Sequence, residues 1–174
     1  DRDGVINHDS DNFIKSPDEW QPISGSLEAI ARLTQWGYRV VVATNQSGVG
    51  RGLFDMGALN AIHDKMIKAV NQTGGRIDAI FFCPHAPGAG CECRKPKPGL
   101  LREIAARYNM ALTNVPCVGD SLRDLQAAVA AGAQPVLVLT GKGEKARDER
   151  HDQQLPPQTL IFADLAAAAA HFTA

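Results

Sequence analysis

Asp1 and Asp3 stand one residue apart in Asp1-Arg2-Asp3-Gly4-Val5-Ile6-Asn7, and a second acidic turn, Val118-Gly119-Asp120-Ser121-Leu122-Arg123-Asp124, comes far along the chain. Phosphoryl transfer needs a nucleophile, a proton donor for the leaving alkoxide and cations to spread the transition-state charge. The paired carboxylates supply the first two. In an extended segment residues i and i+2 project to the same side, so both can face one phosphate and its metal, and Gly4 lets the backbone turn away. Mg2+ takes oxygen ligands and keeps water, so two or three protein oxygens with a substrate phosphate complete its shell. Asp120 is the natural distal ligand. Alone, Asp-x-Asp-Gly also serves Ca2+ loops and plain chain reversals, so the remaining residues must decide.

Two further segments bear on it. Thr44-Asn45-Gln46-Ser47-Gly48 follows the apolar run Tyr38 to Ala43, which predicts a buried strand ending in a polar loop whose hydroxyl and amide donors can hold phosphate oxygens. A helix cap or turn would use the same residues. Arg94-Lys95-Pro96-Lys97 sets three cations before a predicted helix; a lysine there can neutralise phosphate and an arginine can grip it with two donors. An exposed basic loop is the plainer alternative.

Three of the four cysteines lie between Cys83 and Cys93, in a loop that also holds His85. Cys83, His85, Cys91 and Cys93 can close a tetrahedral Zn2+ shell, and because side chains fill all four positions the metal would be structural. A redox pair at Cys91 and Cys93 is the competing reading. Cys117 falls in a predicted strand, as a core residue.

These segments, in this order, resemble the haloacid dehalogenase superfamily of aspartate-nucleophile phosphatases, and the resemblance covers nearly the whole chain. It implies that Asp1 attacks phosphorus, that Asp3 moves the proton, and that Thr44 and Lys95 steady the phosphoryl group. It further implies that Asp1, the Asp3 carbonyl and Asp120 hold Mg2+, and that Asp124 orients Lys95 or the metal shell. The family places its nucleophile at the end of an apolar strand, so a short apolar segment before Asp1 is expected. Cys-x-His followed by Cys-x-Cys-Arg-Lys-Pro is similar to the zinc-loop branch that contains heptose 1,7-bisphosphate and histidinol-phosphate phosphatases. The heptose side is the better match, which implies substrate contacts at Asp9, Ser10, Asp11, Asn12, Asn45, Gln46, Ser47, Arg94 and Ser121. A bisphosphate needs a second cationic patch, and Arg94 with Arg51 is the available one. Asp9 and Asp11 could instead receive the amine of histidinol phosphate.

The elements that must position these groups alternate. Helices are predicted from a Ser24-Gly25-Ser26 cap through Leu27, Ile30, Leu33 and Trp36; over Met56–Thr73 with Leu59, Ile62, Met66, Ile67 and Val70 inward; and over Leu100–Tyr108 and Ser121–Ala131. Strands are predicted at Ile77–Phe82, Val115–Val118 and Pro135–Leu139, and a mobile connection over Gly141–Gln158 leads to an Ala-rich terminal helix. This pattern predicts an α/β, Rossmann-like parallel sheet between helices, one domain over 1–174, with the site at the carboxyl ends of the strands. The roughly 40 residues between Asp3 and Thr44 leave no room for an inserted cap domain. With 174 residues, 44% of them hydrophobic, 21% charged and a net charge of -1, the chain can build a sizeable core. That balance disfavours nucleic acid as a partner. Without a membrane-length apolar run or a leader, a cytoplasmic monomer acting on a small sugar bisphosphate is expected.

Overall fold

The computed structural model describes residues 1–148 and 154–174. In chain order they form α1 (Ser26–Gln35), β1 (Val40–Asn45), α2 (Ser47–Gly50), α3 (Met56–Gln72), β2 (Ile77–Cys83), α4 (Gly99–Arg107), β3 (Pro116–Gly119), α5 (Leu122–Ala130), β4 (Gln134–Val138), α6 (Gly143–Asp148), β5 (Leu160–Phe162) and α7 (Leu165–Phe172). All paired strands are parallel: β1 with β2, and β3-β4-β5 in that order. An apolar cleft of about 470 Å³ separates β1 from β3, lined by Val40 to Ala43 on one side and Pro116 to Val118 on the other. The main-chain nitrogen of Asp1 donates to the Val118 carbonyl at 2.6 Å, which sets the Asp1–Asn7 turn beside the end of β3.

β1 begins and ends two residues later than the apolar run suggests. The Tyr38 amide donates to the Leu33 carbonyl at 2.9 Å to close the end of α1, so Tyr38 is not free for the sheet. At the other end, pairing with β2 continues through Asn45 opposite Cys83. Thr44 therefore sits within the strand. A side chain there is aimed by the sheet, which holds direction better than a loop does.

Helices cover both faces. One buried cluster joins Ile30 of α1, Ile62 and Met66 of α3 and Ala169 of α7 to Val42 and Val138; another joins Leu100 and Leu101 of α4 and Ala127 and Ala128 of α5 to Ala43 and Cys83. The inward stripe of α3 is Leu59, Ile62, Met66 and Val70, at helical spacing, whereas Ile67 is only half-buried at its edge. Trp36 departs from the expected stripe and is 59% exposed, because α1 has ended and the residue sits on the terminal turn. The predicted serine cap also fails: Gly25 at φ 83° occupies the cap position without a side-chain bond. Ser26 Oγ instead donates to the Val5 carbonyl at 2.8 Å and ties α1 to the acidic turn.

The stretch expected as a mobile connection is partly helical, since α6 occupies Gly143–Asp148; its residues 149–153 lie outside the described residues. β5 is too short to show in the sequence as a period. Between Gly4 and Ala43 there is one 3-10 turn (Pro17–Glu19), α1 and most of β1, and no inserted domain. No helix among the described residues is long and apolar enough to cross a membrane.

The strand ends are locked together around Asp120. Gly4 has φ 80°, and a Cβ there would lie 2.0 Å from Asp120 Oδ2; a Cβ on Gly141 would lie 2.2 Å from the same atom. Thr140 Oγ1 donates to the Gly4 carbonyl at 2.6 Å, joining the turn after β4 to the one that carries Asp1 and Asp3. Gly4→Ala is expected to cost about 1–3 kcal/mol, from a side chain at positive φ and from pushing Asp120 aside. Chemical denaturation of the purified variant measures it.

Candidate active site

At the centre lies a buried lysine. Lys95 Nζ stands 2.6 Å from Asp124 Oδ1 and 3.1 Å from Asp1 Oδ1, and donates to the Ala43 carbonyl at 3.0 Å. Its backbone is clamped by Asn45, whose amide group donates to the Lys95 carbonyl at 3.1 Å and accepts from the Lys95 amide at 3.0 Å. Asn45 is thereby spent on aiming Lys95. Asp124 closes the capping box of α5, its Oδ2 accepting from Ser121 N at 3.1 Å and Ser121 Oγ at 2.6 Å. Burial would raise the Asp124 carboxyl, but Lys95 and the Ser121 hydroxyl outweigh it and hold the group below its usual range.

Asp3 is held by four donors. Arg2 forks onto it, Nε to Oδ1 at 2.9 Å and Nη2 to Oδ2 at 3.0 Å; Asn7 Nδ2 adds 2.9 Å to Oδ1 and Gln46 Nε2 adds 3.0 Å to Oδ2. Desolvation works against the charged form, yet the Arg2 charge and these bonds keep the carboxyl low. Gln46 Nε2 also reaches Thr44 Oγ1 at 3.0 Å. Asp120 differs. Among the described residues its one donor is the Lys142 amide at 2.8 Å, and burial, aided by Asp124, raises its pKa to about 6.

These groups open into a polar pocket of about 240 Å³ lined by Asp1, Asp3, Thr44, Lys95, Asp120 and Asp124. Asp9, Ser10, Asp11, Asn45, Gln46, Ser47, Arg51, Arg94 and Ser121 line the same pocket. Asn12 stays outside: the turn that brings Phe13 (φ 65°) to the pocket leaves Asn12 exposed. Four lining residues escaped the sequence reading, namely Phe13, Ile14, Arg123 and Lys142. Arg123 follows the acidic turn directly and could have been found there; Lys142 lies beyond β4, and only the fold brings it in. Lys142 Nζ pairs with Asp9 at 3.0 Å and Asp11 at 3.8 Å, so these acids are not free anions. One buried Arg94 nitrogen, Nη1, has no hydrogen-bond partner.

Among the described residues two groups of side chains could hold metal. Asp1, Asp120 and Asp124 bring carboxylate oxygens within 4.8 Å of one another, but Asp124 is occupied by Lys95 and Ser121, which leaves Asp1 and Asp120. Cys83, His85, Cys91 and Cys93 converge just as closely, with Cys83 Sγ 3.7 Å from Cys91 Sγ, and His85 Nδ1 3.5 and 3.2 Å from Cys83 and Cys93 Sγ. Tetrahedral zinc bonds imply ligand separations of about 3.5–3.8 Å. Burial pushes the Cys83 thiol up and that of Cys93 to about 12. At Cys91 burial is outweighed by the Arg94 amide and the neighbouring side chains, and the pKa falls to about 7.

Comparison with known proteins agrees with this geometry. Residues 92–168 match the HAD-hydrolase-like family. The D-glycero-beta-D-manno-heptose-1,7-bisphosphate 7-phosphatase of Bordetella bronchiseptica is 61% identical over 97% of this chain and 93% of its own. The enzyme of the same name from Pseudomonas putida is 54% identical over 97% and 94%. The crystal structure of the B. bronchiseptica D,D-heptose 1,7-bisphosphate phosphatase with magnesium and phosphate superposes with a TM-score of 0.95 at 60% identity, covering 98% of this chain and 94% of that one. The chain is thus a phosphatase that belongs to the haloacid dehalogenase-like hydrolases, in the family of the heptose-1,7-bisphosphate 7-phosphatases.

Proposed function

We propose that the chain removes the C7 phosphate of D-glycero-β-D-manno-heptose 1,7-bisphosphate, as its relatives are named for doing, in bacterial heptose-nucleotide synthesis. The single observation that carries this reading is the arginine cluster in the pocket. Beside Asp1, Asp3, Thr44, Lys95 and Asp120, which can serve the chemistry, the same pocket is lined by Arg51, Arg94 and Arg123. These lie close enough together that, besides burial, Arg123 and Arg51 lower the Arg94 pKa, and they suit a phosphate that stays. Arg94 Nη1 is buried without a partner, and a retained phosphate oxygen would supply one. Histidinol phosphate fits this cluster less well. Its amine would meet three guanidiniums, and Lys142 already occupies Asp9 and Asp11.

Asp1 Oδ1 accepts from the Arg2 amide at 2.7 Å and faces Lys95, which leaves Oδ2 as the attacking atom. In the first step Asp1 Oδ2 bonds to phosphorus as the P–O bond to C7 breaks, and the leaving oxygen takes a proton from Asp3. In the second, water gives a proton to Asp3, attacks phosphorus and breaks the bond to Asp1, releasing phosphate. Arg2 keeps free Asp3 ionised, so the dianionic substrate must raise its proton affinity on arrival. Thr44 and Lys95 donate to the phosphoryl oxygens.

Asp1, the Asp3 carbonyl and Asp120 would hold Mg2+, which when bound would spread the negative charge on the phosphoryl oxygens. The underpaired, buried Asp120 carboxylate fits a cation. Cys83, His85, Cys91 and Cys93 would hold a structural Zn2+, whose charge would stabilise thiolates that burial otherwise keeps protonated. The proposed reaction needs no residue beyond those of this chain, and we read the protein as a cytoplasmic monomer of one domain.

Asp1→Asn is expected to abolish phosphate release, since an amide is a poor nucleophile, and chelation of Mg2+ should do the same. Because protons compete for Asp120 below about 6, the Mg2+ concentration for half activity should rise as pH falls through that value. Elemental analysis is expected to find about one zinc per chain, lost in Cys91→Ser and kept in Cys117→Ser. Arg94→Ala should cost about 1–3 kcal/mol in kcat/KM for the bisphosphate and little for a C7 monophosphate. Equal losses on both substrates, or a preference for histidinol phosphate, would overturn the substrate assignment.

A further inference from the structure

We propose that His63 is a positioning residue for the phosphatase reaction: through Arg2 it fixes the plane of the Asp3 carboxylate so that its proton points at the leaving oxygen. His63 lies on the buried stripe of α3, 6% exposed, where the sequence alone suggests an ordinary core residue. Asp3 lies close enough to favour a charged ring, but burial and the Arg2 charge outweigh it. Nε2 stands 3.1 Å from Arg2 Nη1, and the ring faces Phe82 of β2 with centroids 6.2 Å apart.

Arg2 is fully buried and already commits Nε and Nη2 to Asp3. A guanidinium only donates, so His63 Nε2 must be the acceptor, and the imidazole is neutral with its proton on Nδ1. Burial and the Arg2 charge both favour that neutral form, lowering its pKa to about 4. The fork has two soft motions: rotation about its own long side chain, and slipping from two-point to one-point contact. The third bond, to a ring held rigidly by α3, removes both. Asn7 adds a bond to Oδ1 and Gln46 one to Oδ2, so with Arg2 they leave the carboxylate little freedom to rotate. A protonated Asp3 must carry its proton on one oxygen toward the substrate. Misalignment there slows proton transfer without weakening phosphate binding.

This inference rests on the reading of Asp3 as the proton donor, and the test separates the two. A sugar alkoxide needs a proton to leave, whereas the phenolate of p-nitrophenyl phosphate does not. With Mg2+ present, kcat/KM for the bisphosphate and for p-nitrophenyl phosphate report the first phosphoryl transfer, before the water step that both share. For His63→Leu, the bisphosphate value is expected to fall about tenfold or more and the aryl value to stay within about twofold. His63→Gln, whose side-chain oxygen can accept from Arg2, should restore most of the loss. Arg2→Lys, which keeps the charge and loses the fork, should show the same selective loss and carries the test if His63→Leu does not fold. Equal losses on both substrates, or no loss in a folded His63→Leu, would overturn the role of His63. If Asp3→Asn itself lowered both values equally, the proton-donor reading of Asp3 would fall instead.

Discussion

The buried ammonium of Lys95 is the interaction on which the rest of the site depends. It sits between Asp1 and Asp124, against the Ala43 carbonyl, and so bonds to the acidic turn, to α5 and to β1 at once. Taking charges from water into such a place is costly, and a set of this kind holds only if every member is paired. Removing one partner costs about 3–5 kcal/mol, because the others are left buried and unbalanced. The arrangement therefore works as a positional constraint. Asp1 cannot move without stranding Lys95, and Lys95 cannot move without breaking its clamp on Asn45.

That clamp explains why the cysteine loop stands where it does. Cys83 ends β2 directly opposite Asn45 of β1, and its carbonyl accepts from the Gln46 amide at 2.8 Å. The loop then returns through Cys91 and Cys93 to Arg94 and Lys95, and the Gly99 amide bonds back to the Glu92 carbonyl as α4 begins. Pro84 and Ala86 press close on Gly50, where a Cβ would lie 2.6 Å from the Pro84 carbonyl, so α2 is packed against the loop as well. A Zn2+ held by these four converging side chains, as proposed, would fix the ends of a segment rich in Gly and Pro. The two cations that follow would share that rigidity.

Local chemistry was legible in the sequence wherever it is carried by adjacent residues. The Asp1-x-Asp3 pair, the Cys83 to Cys93 cluster and the acidic turn at Asp120 to Asp124 each announce themselves by residue type and spacing, and the alternation of periods gives the parallel sheet. What stayed hidden depends on tertiary placement. Lys142 joins the pocket only because β4 ends beside β3, and His63 reads as core until Arg2 is seen against it. Boundaries shifted where a backbone bond outside the element decided the matter, as the Tyr38 amide did for β1. Residues chosen by type can do a different job from the one their type suggests: Asn45 and Ser121 are expected as donors to substrate, and in the structure they hold Lys95 and Asp124.

The same site pushes two carboxylates in opposite directions, and the reason is which partners each is given. Asp3 has a guanidinium and two amide side chains and stays ionised; Asp120 has one backbone amide and a nearby Asp124, so burial dominates and its affinity for a proton rises. A buried anion with a single amide donor is a poor structural element. It would be tolerable where a cation binds, as proposed for Asp120, because the ion would provide what the protein withholds, and the crowding of Gly4 and Gly141 keeps the carboxylate from turning away to find water. Asp3 needs the reverse. In the role proposed for it, its proton would come and go within one turnover, so its resting partners would have to fix direction firmly while leaving proton affinity to be set by the charge of the substrate itself.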